Sequence, residues 1–241
     1  MKIYSYCIID SKERIGDGHI RGLNGAPVYN IPYRDMGIVV NNLNGDIKDL
    51  TKSHLLEHEN VVEMLMKNFT VLPLRSGALF NREEEVLHVM EKFYGDFRSN
   101  LDRLINKVEF GIKIIWSGDN IRGEILKDHA SSSHFLAATK DSPGKMFIMG
   151  KFEKYKIERA LKEKAEICIA FADNFLNRFA FEKKLEKLIS TNLLLNAFYL
   201  VDKERQRDFK EAFELLRIAP DNFKYLFSGP WPPYNFIRMG E

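Results

Sequence analysis

The last fifteen residues, 227–241, read FSGPWPPYNFIRMGE. No other part of the chain restricts the fold as tightly as Gly229, Pro230, Trp231, Pro232, Pro233 and Tyr234. Three prolines in that run fix φ at about −65° and remove three backbone donors, so the run cannot be helix and cannot lie in the centre of a sheet. Stiff, extended, polyproline-II-like backbone remains, expected along a sheet edge or across a junction between domains. Trp231 and Tyr234 are large rings on that support. A preformed strip loses little entropy on binding a partner, but the same rigidity suits rings packed back onto the protein's own sheet. Both readings stay open, so Gly229–Tyr234 are candidates for partner binding or for locking two domains together.

The chain has 241 residues, 45% hydrophobic and 29% charged, which fits one large or two small domains and is ample for a sizeable core. Its net charge of +2 supplies no long-range field for nucleic acid or a membrane surface. No apolar stretch approaches a membrane span. The opening MKIYSYCIID has one basic residue and an acid at position 10, which is not the pattern of a signal peptide. Cys7 and Cys168 form no C-x-x-C pair and sit in apolar runs, as buried thiols in a reducing compartment do. A cytoplasmic protein is expected.

Strands are expected at 2–10, 28–31 and 36–43, from their aromatic and β-branched content. The glycines between 16 and 25 mark a turn-rich connection. Apolar spacing predicts a helix carrying Leu55, Val62, Leu65, Met66 and Phe69 on one face. VLPLRSGALF reads as a strand interrupted by Pro73. A long helix from Asn81 follows, with Val86, Met90, Phe93, Phe97, Leu101 and Leu104 inward. Further on, a strand is expected at 108–116, a loop at 117–145 and a helix at about 146–181 with the stripe Ile157, Leu161, Ala165, Cys168, Ala172, Phe175 and Phe179. A strand at 193–202, a helix at 205–219 and a last strand from Tyr225 complete the order. The fold class is α+β: two packed α/β-sandwich-like domains, 1–106 and 107–241. The second shows the alternation of a split βαβ sheet and carries the extended Pro-rich C-terminal segment.

Residues that suggest chemistry have plainer readings. G-D-G-H-I-R-G after the first strand is not G-x-G-x-x-G and opens no helix, so a hairpin turn is expected; no phosphate-loop motif occurs. His54 and His58 are spaced like metal ligands but lack a third partner; capping or surface roles are expected. His129 and His134 flank serines in a loop with no placed acid. Glu83, Glu84 and Glu85 suit a helix N-terminus. The charged face near 151–166 is expected to be solvated. Arg75 is harder to place, because a charge inside an apolar strand must reach solvent or find a partner. Pairing with an acid across the domain junction is expected, with direct partner contact as the alternative.

Taken together, VLPLRSGALF and SGPWPPYNFI resemble the GvpF/GvpL family of gas vesicle proteins, whose members carry a V-L-P-x-R-F-G-T-V-F-like strand and a T-G-P-W-P-P-Y-S-F-V-like ending. YSYCIID near the start, His58–Glu63 and Glu109–Lys113 match in order, so the resemblance covers nearly the whole chain. Ser76 stands where an aromatic is common and Asn235 where serine is common; residues 117–145 match no pattern. The resemblance implies two α+β domains, the second ferredoxin-like, and an accessory or minor structural role in building gas vesicles. It implies association with the hydrophobic major shell protein and other vesicle proteins, and a protein that is not an enzyme. No catalytic, cofactor or metal residue is implied, nor a nucleic acid, membrane or small-molecule substrate. A cytoplasmic, vesicle-associated location is expected. The alternative is a ferredoxin-like small-ligand-binding regulatory module; the lack of a phosphate loop, metal set or placed acid/base pair favours the assembly role.

Overall fold

A computed structural model of the protein describes residues 2–15, 20–43, 51–116, 143–186, 193–218 and 223–240. Gly16, Gly18, His129 and His134 lie outside these residues, as do nearly all of the 117–145 loop and the side chains of Ile157, Leu161, Ala165 and Cys168. The fold is mixed α/β with two antiparallel sheets. Contacts divide the chain into two compact units. Met1–Glu109, Asp202–Glu204 and Gly229–Glu241 form the first, and Phe110–Val201 with Arg205–Ser228 the second. Sequence continuity had kept all of 107–241 in one domain. Instead, the residues after Ser228 group with the first unit, because their hydrogen bonds go there.

The first sheet is built on β1 (Lys2–Ile9), whose residues are buried almost without a break. It pairs antiparallel with β3 (Met36–Leu43), and β2 (Val28–Tyr33) pairs beyond β3. On its other side β1 meets β4 (Val71–Pro73) and β5 (Leu79–Phe80). Pro73 thus ends one short strand, and the bend after it leads to the next, as the interrupted strand predicts. Gly22 closes the turn before β2 by donating its N–H to Ala26 O at 2.8 Å. Helix α1 (Lys52–Met66) begins at Thr51, whose hydroxyl accepts from His54 N, while His54 Nδ1 accepts from Thr51 N. Its buried stripe is His58, Val61, Val62 and Leu65. Leu55, expected inside, is exposed, and His58, expected at the surface, is 1% exposed.

The helix expected from Asn81 to Leu104 is two helices, α2 (Glu83–Lys92) and α3 (Tyr94–Leu104), separated at Phe93, where φ −108° and ψ 16° leave helical space. Apolar spacing does not record the break, since Val86, Met90, Phe97, Leu101 and Leu104 are all buried across it.

The second sheet contains β6 (Lys107–Trp116), β7 (Ala180–Leu185), β8 (Leu193–Asp202) and β9 (Phe223–Trp231) in the order β7-β8-β6-β9. Helix α4 (Pro143–Leu176) joins β6 to β7, and α5 (Gln206–Arg217) joins β8 to β9. Strand β7 was expected to be the end of α4 and an undefined link. Its sequence, AFEKKL, is too charged to look like a strand, and only its antiparallel pairing with β8 defines it. An aromatic core holds this unit: Phe110 stacks on Phe209 and on Phe227, each at 5.2 Å, and Phe213 lies 4.5 Å from Phe227. The buried rings among them, Phe110, Phe209 and Phe213, contribute about 1.5–3 kcal/mol each.

Candidate functional site

Strand β9 lies at the edge of its sheet, the position its proline requires. Gly229 adopts φ 113°, which only glycine tolerates readily. Pro230 follows a cis peptide bond within β9. Beyond Trp231 the segment is not uniformly extended as expected: Tyr234–Phe236 form a 3-10 turn, with Tyr234 N donating to Pro232 O at 2.8 Å.

Within the first unit this turn is pinned by side chains that the sequence reading gave no role. Glu109, 3% exposed, accepts from Asn235 N at 2.9 Å and from Asn235 Nδ2 at 2.6 Å. Asn100, also 3% exposed, donates Nδ2 to Arg238 O at 2.6 Å and accepts from Arg238 N at 2.9 Å, as a strand neighbour would. Arg103 donates to Phe236 O, and the Phe236 ring is buried. Asn235, where serine is common, thus supplies a second donor to Glu109.

The pinned segment and α1 bound a cleft of about 280 Å³, lined by Glu59, Glu63, Glu109, Trp231, Pro232, Tyr234 and Asn235. Pro232 and Pro233 are buried, while Trp231 keeps 39% of its surface exposed. The two rings are placed differently: Tyr234 packs inward, and the indole lies at the surface. Burial pushes the Tyr234 phenol well above its ordinary range, and the neighbouring acidic groups, including Glu59 and Glu63, reinforce the shift. Its hydroxyl is buried with no hydrogen-bond partner among the described residues. Glu59 and Glu63 stand four apart on α1, a spacing at which like charges cost about 0.2–0.5 kcal/mol. An indole beside such carboxylates can hold a cationic or aromatic side chain.

Arg75 is corrected by the structure. It lies exposed in the bend between β4 and β5, with no ion pair among the described residues. Solvent, not a buried acid, satisfies it, because the strand expected around it breaks at Pro73. The rest of that bend is anchored inside. Tyr4 Oη lies 2.7 Å from Ser76 Oγ and 2.9 Å from His58 Nδ1, and accepts from Gly77 N at 3.2 Å. His58 Nε2 lies 3.0 Å from Leu74 O and must donate to it, so Nδ1 accepts from Tyr4. Burial lowers the His58 pKa, which keeps the ring neutral. Ser76, an apparent departure, is therefore part of a largely buried polar chain, and His58 is a core residue whose two ring nitrogens are both hydrogen-bonded. Among the described residues no group of three or more His, Cys, Asp or Glu is placed to hold a metal ion.

The family described as "Gas vesicle synthesis protein GvpL/GvpF" matches residues 2–238. Gas vesicle protein F1 of Halobacterium salinarum is 25% identical over 98% of this chain and 93% of its own length. Gas vesicle protein F of Haloferax mediterranei is 25% identical over the same shares. Among solved structures, GvpF from Anabaena sp. superposes with a TM-score of 0.84 at 19% identity, covering 100% of this chain and 99% of its own. GvpF from Microcystis aeruginosa gives 0.81 at 20% identity, covering 99% of both chains. These likenesses establish a shared fold from end to end. Among the described residues no helix is long and apolar enough to cross a membrane.

Proposed function

The chain belongs to the GvpL/GvpF family of gas vesicle synthesis proteins, and on that premise we propose that it serves gas vesicle formation as an accessory or minor structural protein. It binds the hydrophobic shell protein and other vesicle proteins, works in the cytoplasm at the vesicle, and has no active site. The match over residues 2–238 carries the vesicle role. The partner reading is supported by the cleft, where a rigid, pinned segment offers the Trp231 indole to solvent beside Glu59 and Glu63, which form no ion pair among the described residues. A shell protein that is largely apolar aggregates unless a partner covers it before assembly. A stiff aromatic edge suits that task, since it binds without first having to order itself. Arg75, exposed on the β4–β5 bend, belongs to the same proposal as a second contact point.

The ferredoxin-like, split βαβ reading of the second unit is supported by its strand order β9-β6-β8-β7 and by the place of α4 between β6 and β7 and of α5 between β8 and β9. A two-domain organisation is part of the same proposal, supported by the two contact units, the first of which includes Gly229–Glu241. The test is capture of the shell protein by the purified chain. Trp231→Ala, with its melting temperature measured in parallel, is expected to lose capture while remaining folded. Capture equal to that of the unaltered chain would remove the cleft from the partner surface.

A further inference from the structure

We propose that the outward face of the first half of α4 docks an acidic, amphipathic helix of a partner protein. Further along α4 the row of charges is solvated as expected, with Lys154–Glu158 and Lys162–Glu166 paired at the surface, whereas the start of the helix presents a largely apolar face. Phe147 is 65% exposed, Ile148 67%, Phe152 55% and Tyr155 61%. At about 100° per residue these four fall in one arc of roughly 140° and extend about 12 Å along the axis. Scattered exposed apolar residues are ordinary, whereas four on one ridge mark an interaction surface. Residues 143–156 also carry four lysines against one glutamate, in a chain whose net charge is only +2.

The lysines decide the occupant. Lys151 falls in the middle of the arc, its ammonium 4.7 Å from the Phe147 ring centre, and Lys156 lies 4.7 Å from the Phe152 ring. Seating this face in a bilayer would carry Lys151 towards hydrocarbon, where a charge is costly. A second copy meeting the same face would set lysines against lysines. A protein segment that places carboxylates opposite the lysines and apolar side chains against the rings satisfies both parts of the surface. A helix fits best, because the contact is a straight ridge one helix face wide. The partner's chemistry follows from this surface alone; that it is another vesicle protein rests on the function proposed above.

The test measures fluorescence anisotropy of labelled synthetic peptides with the full chain at low salt. One peptide is an amphipathic helix with a leucine face flanked by glutamates; the other has lysines in place of the glutamates. Saturable binding of the glutamate peptide is expected, at least about tenfold tighter than the lysine peptide. Lys151→Glu with Lys154→Glu is expected to weaken it roughly tenfold, and Phe147→Ala with Phe152→Ala at least as much. These positions are exposed, so circular dichroism should show every variant folded. Equal binding of the two peptides, no effect of the lysine reversals, or binding to phosphatidylserine vesicles without peptide binding would overturn the proposal. Loss of peptide binding with shell-protein capture intact refutes this surface alone. Peptide binding with no capture of any vesicle protein refutes the vesicle reading and leaves the surface standing.

Discussion

Replacing Asn100 by alanine should release the C-terminal segment. Its amide makes four contacts: to Asp96 O at 2.8 Å, Arg238 O at 2.6 Å and Arg238 N at 2.9 Å, and one accepted from Arg103 at 3.4 Å. The two bonds to Arg238 stop that segment from leaving α3. Each contributes about 0.5–1.5 kcal/mol net. The buried groups left behind add less than the full desolvation cost, because Arg238 is at the surface and water can reach its backbone. The expected loss is therefore about 1–3 kcal/mol. At about 2–4 °C per kcal/mol for a chain of this size, thermal unfolding followed by circular dichroism should shift down by roughly 2–12 °C. Hydrogen exchange should locate the cause: the Arg238 and Gly240 amides speed up while those of β1 do not. An unchanged melting point, together with unchanged protection at Arg238, would refute the idea that Asn100 holds the segment in place.

Other perturbations separate the remaining parts. Arg75→Ala should change stability by less than about 0.5 kcal/mol in urea unfolding, since the side chain is exposed; a loss of several kcal/mol would show a buried partner. Gly22→Ala should destabilise the first unit by about 1–3 kcal/mol or more, because the added Cβ would collide with the Tyr6 hydroxyl and lie 2.9 Å from Val28 Cγ2; a neutral result in the same assay would contradict that packing. His58 has a lowered folded pKa, so its contribution is present above the unfolded value of about 6.5 and is lost as pH falls through the folded one. Stability of the first unit should fall on acidification below about pH 6.5, and His58→Gln should flatten that slope in denaturation curves taken across the range.

Strands β1, β3 and β8 are legible in the sequence because they are short, mostly apolar runs rich in aliphatic, β-branched or aromatic residues, and α5 because its apolar residues keep strict helical spacing. Strand β7 is not, since Glu182, Lys183 and Lys184 are ordinary helix formers and only pairing with β8 makes them extended. Phe93 gave no sign of a break because both helices bury residues on the same spacing. The proline segment announced its stiffness and its place at a sheet edge, but not what would hold it. Its holders, Asn100 and Glu109, lie more than a hundred residues away along the chain. A signal was present nonetheless: an asparagine on the apolar face of α3 and a glutamate in the apolar run VEFGIKIIW are polar groups at buried positions, which demand partners. His58 was misread because H-L-L-E-H fixes a spacing and not a depth. Arg75 was misread because its neighbours are apolar, although the bend after Pro73 carries it out to water.

The most direct measurement is made in gas-vesicle-forming cells in which this chain is the only copy of its kind, with vesicles counted by electron microscopy. Removing the chain should abolish or sharply reduce vesicles, and the unaltered chain should restore them. Trp231→Ala and the charge reversal Glu59→Lys with Glu63→Lys, each expressed as folded protein at normal abundance, should fail to restore them. Normal vesicles without the chain would contradict a role in vesicle formation, and normal vesicles with both cleft variants would contradict the cleft as its working surface.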